Sequence, residues 1–168
     1  MKSLQKIKYW LFDLDNTLYS GKTKVFEQVD KRMSKYISEK LNVDVKKAKE
    51  IQKSYFYKYN TTLNGMIKNH EIDADEFLNY VHDINVDFLK KDINLAKQLE
   101  VLEGKKIIFT NGSRKHALNI MQRIGVEQYF DDIFDIVDSE FIPKPAIAPY
   151  KKLVKKHKID PKFCVFIE

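Results

Sequence analysis

Cysteine occurs once in 168 residues, at Cys164, so no disulfide framework can hold this chain together. A lone thiol fits a reducing compartment, and a cytoplasmic location is expected. Cys164 lies in the apolar run 163–167, where it serves as a small core residue. Long apolar runs are missing as well. None approaches the ~18 residues that a membrane-spanning helix needs. The basic opening MKSLQKIKYW has an apolar stretch too short, and too soon broken by Asp13, for a signal peptide. Arginine is scarce: Arg32, Arg114 and Arg123 stand against 27 lysines. Base readout favours arginine, and the lysines are scattered rather than massed. The net charge of +6 therefore reads as solvated surface, and no specific nucleic-acid partner is expected. Glycine and proline, at five and four residues, form no linker, and no internal repeat is present.

What is present suits a globular protein. With 43% hydrophobic and 12% aromatic residues, the chain can build one domain of ordinary size, or a core domain with a modest insertion. Strands are expected over 8–13, 106–110 (KIIFT), 133–137 (IFDIV) and 163–167 (FCVFI). Helical patterns over 114–124 and 148–157 alternate with the last three, which implies βαβ units and a parallel sheet. Ser113 suits the N-cap of the first of these helices and Gly125 its stop. Residues 22–101 differ. Apolar residues recur there at helical spacing over 24–41, 44–59, 63–69, 74–83 and 92–102, with no strand between them. The chain thus starts a parallel sheet, leaves it for about 80 residues of helix, and returns.

The reactive residues collect at strand ends. In YWLFDLDNTLY, four bulky residues run into Asp13, and Asp15 follows two positions later. Ligands of open parallel sheets lie beyond the carboxyl ends of the strands, and residues two apart on a strand point the same way. Two such anions repel unless they share a cation or one is protonated. Mg²⁺, a hard ion that takes oxygen ligands, meets that need and attracts phosphate. A D-x-D that merely caps a strand and opens a turn has the same sequence. After KIIF come Thr110, Asn111, Gly112 and Ser113, a joint whose free N–H groups and helix dipole suit an oxyanion. A turn with an N-cap would use the same residues. Lys144 stands between Pro143 and Pro145, which restrict its backbone. A rigidly presented ammonium balances two carboxylates and a phosphate, while a surface loop lysine is the plainer alternative. Glu168 ends the last apolar run.

DLDNT resembles the nucleophile motif of the haloacid dehalogenase superfamily, Thr110-Asn111 its second motif and Lys144 its third, over the whole chain. The resemblance implies an α/β fold: a Rossmann-like core with a parallel sheet (residues 1–20 and 103–168) and an inserted α-helical cap after the first strand (21–102). It implies that Asp13 attacks phosphorus and forms an aspartyl-phosphate. Asp15 would protonate the leaving alkoxide and then activate water. Thr110, Asn111, Gly112 and Lys144 would hold phosphoryl oxygens. Mg²⁺ would be the cofactor, held by the Asp13 carboxylate, the Asp15 main-chain oxygen and Glu168. A dehalogenase has no alkoxide to protonate, so an aspartate at position 15 favours phosphoester hydrolysis.

Residues 55–83 and TNGSRKHA are similar to the pyrimidine 5′-nucleotidase branch, which implies a nucleoside monophosphate as the small-molecule substrate. Thr61, Thr62 and Asn64 form a polar stretch suited to a base or sugar. Tyr55, Phe56, Tyr57 and Tyr59 suit either stacking on a base or packing of an amphipathic helix. His70 and His82 read as surface or core histidines, and no Cys/His spacing points to a zinc site. The family's fourth motif is an acidic pair; Glu168 matches its first position and the sequence stops, so a truncated product with weak metal binding is expected. A sugar-phosphate phosphatase and an inactive phosphate-binding or partner-binding remnant are the alternatives.

Overall fold

The computed structural model describes residues 7–168; the basic start of the sequence, residues 1–6, lies outside them. The chain enters at β1 (Tyr9–Phe12), makes helices α1 (Val25–Leu41), α2 (Val45–Tyr59), α3 (Thr62–His70), α4 (Ala74–Val81) and α5 (Ile93–Val101), and rejoins the sheet at β2 (Lys105–Phe109). It continues through α6 (Arg114–Ile124), β3 (Asp132–Phe134), α7 (Ile147–His157) and β4 (Cys164–Ile167). The four strands lie in the order β3-β2-β1-β4, all parallel. This is the α/β class with a parallel sheet that the alternating patterns predict.

Side chains alternate across β1 and β2, as strand geometry requires. Trp10, Phe12 and Ile108 pack with Ala117, Ile120 and Met121 of α6, whereas Leu11, Ile107 and Phe109 pack with Phe134 and with Leu153 of α7. Both faces are covered, which accounts for the unbroken apolar runs in these strands. Cys164 is half-buried against the second of these clusters, and burial pushes its thiol up from the ordinary value.

Register decides where the chemistry lies. Phe12 pairs with Ile108 on one side and Ile167 on the other. Asp13 and Glu168 therefore leave the sheet at one level, and the Asp13 N–H still donates to the Ile167 carbonyl at 2.9 Å. Thr110 follows at the end of β2, its N–H donating to the Phe134 carbonyl at 3.1 Å.

Helices α1–α4 have their own apolar cluster, built on Val29, Tyr36, Ile37, Leu63, Met66, Phe77 and Val81. Asp44, Thr61 and Asp73 cap α2, α3 and α4 by accepting the N–H three residues on, as short oxygen-bearing side chains do. Asn42 and Asn60 end α1 and α2 in left-handed conformations.

Two sequence expectations are corrected. Residues 92–102 show a helical period and were grouped with the insertion, but Leu99, with Leu95 and Ala96 beside it, packs against the cluster of Trp10 and Phe12. α5 thus belongs with the sheet. β3 stops at Phe134, short of residue 137, because the Asp135 carboxylate accepts the N–H groups of Val137 and Asp138 at 3.0 and 2.9 Å. That turn ends the strand and sends Ile136 into the cluster of the helical layer. Among the described residues no helix is long and apolar enough to cross a membrane.

Candidate active site

Beyond β1 the backbone curls at once. The N–H groups of Thr17 and Leu18 return to the Leu14 carbonyl, and Asn16 takes a left-handed conformation with φ 62°. Asparagine tolerates that region better than most residues. The curl carries Asp13 and Asp15 to the sheet's carboxyl edge with different partners. Asp13 Oδ1 accepts from Lys144 Nζ at 2.9 Å, and its Oδ2 accepts from the Thr17 hydroxyl at 3.0 Å. Lys144 Nζ donates to Glu168 Oε1 at 3.0 Å as well. Lys144 is buried, with its ammonium 5.2 Å from the Phe109 ring centre and 4.8 Å from that of Phe166.

Asn111 has a part its sequence position did not suggest. Its side-chain oxygen accepts the Lys144 N–H at 2.8 Å, and its nitrogen donates to the Lys144 carbonyl at 3.3 Å. The Asn111 side chain thus fixes the lysine's backbone. Thr110 is buried; its Oγ1 accepts the Gly112 N–H at 2.9 Å, which leaves the hydroxyl proton free to donate. A Cβ on Gly112 would stand 3.3 Å from Thr110 Oγ1 and 3.7 Å from Asp15 Oδ2. The missing side chain keeps an open cradle between the two strand ends.

Asp15 is gripped on one oxygen. Its Oδ1 accepts from the Tyr19 hydroxyl at 2.5 Å and from His116 Nε2 at 2.8 Å. Burial works to raise the Asp15 pKa, but the charge and hydrogen bond of His116, with the Tyr19 bond, outweigh it and hold the carboxyl below its ordinary value. Burial and the adjacent Asp15 charge push the Tyr19 phenol upward. His82 stacks on His116 with ring centres 4.4 Å apart and planes at 14°, and its Nδ1 meets Ser113 Oγ at 2.9 Å. Burial, followed by the neighbouring His116, lowers His82 to about 3.

The sequence marks neither ring for this site: His82 reads as a surface or core histidine, and no spacing singles out His116. The available signal was position. His116 lies three residues beyond the N-cap Ser113, and the first turn of a helix that leaves a strand end faces the ligand edge of the sheet.

The helical layer closes over these groups to leave a cavity of about 380 Å³, lined on the sheet side by Asp13, Asp15, Thr110 and Gly112. Thr61 and Thr62 reach it, but Asn64 does not. Thr61 caps α3, Thr62 donates to the Gln52 carbonyl at 3.3 Å, and the Asn64 amide donates to the Tyr59 carbonyl at 3.0 Å. The local backbone occupies all three. Among the aromatics, Phe56 and Tyr57 line the cavity, while Tyr55 and Tyr59 pack on each other, and the Tyr55 hydroxyl is 2.7 Å from His70 Nε2. The helical layer's further polar lining includes Asp30 and Gln52, joined at 2.7 Å, with Lys53 and Asn60.

The donors fit a hard cation. The Asp13 and Glu168 carboxylates converge on one ammonium, and all the oxygens are of the kind Mg²⁺ takes. Among the described residues no group of three acidic, histidine or cysteine side chains meets at a point, but Mg²⁺ commonly takes one or two carboxylates and completes its shell with water and phosphate.

A protein-family model for haloacid dehalogenase-like hydrolases matches residues 7–168. The chain belongs to that family. Phosphate metabolism protein 8 of Saccharomyces cerevisiae is 33% identical over 153 residues, which cover 82% of this chain and 48% of that protein. The chain spans about half the length of this curated relative. A haloacid dehalogenase-type phosphatase of Thermococcus onnurineus shares the fold with a TM-score of 0.56 at 20% identity, over 95% of this chain and 76% of that one. The hydrolase YfnB of Bacillus subtilis, in a magnesium-bound crystal form, aligns with a TM-score of 0.53 at 16% identity, over 95% of this chain and 78% of that one.

Proposed function

We propose that this hydrolase is a Mg²⁺-dependent phosphomonoesterase that works through an aspartyl-phosphate on Asp13, acting in the cytoplasm on nucleoside 5′-monophosphates, pyrimidine nucleotides foremost. One observation carries the reading: a carboxylate at the exit of β1 contacts a buried lysine and lines one cavity with a second carboxylate, whose Oδ2 lies beside Gly112. The name of the yeast relative, in phosphate metabolism, supports it.

Lys144 and the Thr110 hydroxyl would hold phosphoryl oxygens while Asn111 keeps the lysine in place. Positioning and charge neutralisation supply most of the catalysis of phosphoryl transfer. The Asp13 carboxylate attacks phosphorus, and the departing oxygen takes a proton from Asp15. The resulting Asp15 carboxylate then removes a proton from the water that hydrolyses the aspartyl-phosphate. A phosphate dianion beside Asp15 favours its protonated form, as a like charge does, against the lowering that His116 imposes. Asp13, Glu168 and the Asp15 main-chain oxygen would hold Mg²⁺, and the magnesium-bound relative supports that choice. When bound, the ion would neutralise phosphoryl charge.

Substrate choice falls to the helical layer, which we take as the cap. The cavity is at the small end of ligand-pocket sizes. Phe56 and Tyr57 line it and are 56% and 81% exposed, which presents aromatic faces on which a base can stack. Phosphate release from UMP and CMP with Mg²⁺, measured beside glucose 6-phosphate and beside the Asp13→Asn variant, tests the proposal. Nucleotides should be the better substrates, and Asp13→Asn should abolish turnover of all of them. Unchanged turnover by that variant would remove the nucleophile, and preference for the sugar phosphate would remove the nucleotide.

A further inference from the structure

We infer that Tyr19 and His116 are positioning residues that hold Asp15 by one oxygen and reserve the other for proton exchange with the substrate, with His82 of the helical layer bracing His116. The inference rests on the phosphomonoesterase reading above and adds residues to it.

Asp15 sits on a short curl beyond β1, where no strand pairing fixes its side chain. Two donors from different parts of the chain converge on a single oxygen. The Tyr19 hydroxyl comes from the end of the same curl, and His116 Nε2 from the first turn of α6. Rotating the carboxyl group would break both bonds. Among the described residues no protein donor reaches Oδ2, which faces the space left open by Gly112.

The histidine is itself held. Ser113 Oγ accepts the His116 N–H at 3.3 Å and lies 2.9 Å from His82 Nδ1. Because the hydroxyl oxygen accepts from the backbone, its own proton is available for the His82 ring. One serine thus bonds the His82 ring and the backbone of the histidine on which that ring stacks, and His82, at the C-cap of α4, brings the helical layer into the grip. A phenol, two imidazoles and a carboxylate are costly to bury beside a cavity for packing alone, since apolar side chains would fill the same volume without desolvation.

In the first step the O–P bond to the leaving group breaks as the Asp13 O–P bond forms, and the proton on Asp15 Oδ2 moves to the departing oxygen. In the second, Oδ2 takes a proton from water as the water oxygen bonds to phosphorus and the Asp13 O–P bond breaks. The phosphoryl group and the proton are both accounted for.

The test compares phenyl phosphate, whose leaving phenolate is basic and needs the proton, with 4-nitrophenyl phosphate, whose leaving group scarcely does. His116→Asn and Tyr19→Phe should lower kcat on phenyl phosphate about 10- to 100-fold, part of what general acid catalysis supplies, with KM little changed. On 4-nitrophenyl phosphate the loss should be only a few-fold. Asp15→Asn should show the same split more strongly, and adding His116→Asn to it should cost nothing further on phenyl phosphate. Tyr19→Phe keeps the ring and its packing, so it answers the question even where His116→Asn unfolds. Equal losses on both substrates, or losses confined to KM, overturn the inference. If Asp13→Asn is inactive while these variants lose both activities equally, the inference alone fails; if the unaltered protein releases phosphate from neither ester nor from UMP, the phosphomonoesterase reading falls and takes the inference with it.

Discussion

Polar side chains behave differently in the two halves of this molecule. In the helical layer several are tied to nearby backbone: Thr61 accepts an N–H three residues away, and Asn64 reaches five residues back to a carbonyl. At the carboxyl edge of the sheet the charged partners are remote in sequence. Lys144 meets Asp13 across 131 residues, and His116 meets Asp15 across 101. A polar group satisfied by its own neighbourhood shapes a helix end. One that must wait for the whole chain to fold before it finds a partner, and then meets it beside a cavity, points to a site. Both conditions are needed: Tyr36 meets Glu76 across 40 residues and Arg32 the Tyr80 carbonyl across 48, away from the cavity, whereas Gln52 and Asp30, joined across 22, line it.

If this division holds, substitutions at the edge should silence chemistry and those in the helices should cost stability. After loss of the nucleophile itself, the largest effect is expected from Lys144→Met. It removes the ammonium shared by Asp13 and Glu168, and phosphate release should fall about 10²- to 10³-fold, as when one oxyanion donor is deleted. Near-normal turnover would make the edge a structural device. Ile37→Ala in α1 empties a fully buried site of the helical layer's cluster that lies off the cavity and should cost ~2–5 kcal/mol in urea unfolding, with activity per folded molecule largely kept.

Gly65→Ala tests the packing of α2 on α3 by the sign of its effect. Helix propensity alone promises a gain of ~1 kcal/mol. A Cβ there would stand 2.4 Å from both Cβ and Cγ of Tyr55, and overpacking should win with a net loss of ~1–3 kcal/mol. A more stable variant would show that the two helices yield readily.

The smallest expected effect lies outside both regions. Burial tends to raise the Asp132 pKa, but the Ile133 N–H, Arg114 and Lys156 together lower it from the usual 3.8. A carboxylate with a lowered folded pKa contributes stability that is complete above the unfolded value and drains away as pH falls through the folded one. The urea midpoint of the unaltered protein should therefore fall more between about pH 5 and pH 3 than that of Asp132→Asn, in the range where carboxylates titrate. Parallel curves would mean that Asp132 contributes nothing.

The sheet was legible in the sequence because apolar runs buried on both faces leave a continuous signal, and because parallel strands in register put their exit residues together. The insertion of helices was legible from their period. What the period could not tell is which layer a helix packs on: the face of α5 that carries Leu99 reads like any other amphipathic face. At the site, Asp13, Asp15, Thr110 and Lys144 stood out because each breaks an apolar run or sits in a constrained loop. His82 and His116 did not, since a histidine three residues into a helix has no spacing that marks it until the strand end opposite is known. The hold of Asn111 on the Lys144 backbone did not show, because a side chain whose partner is another loop's backbone looks the same in sequence as one awaiting a ligand.

Ile136 leaves the sheet just past β3 and is 1% exposed among the side chains of the helical layer, with Phe141 packed against the same cluster. It acts as a bolt shot from one half of the molecule into the other. Any hinge motion that lifted the helices away from the strands at this point would draw it into water, at roughly 1.5–3 kcal/mol for a side chain of that size. Substrate entry through a swing on that side would therefore be opposed.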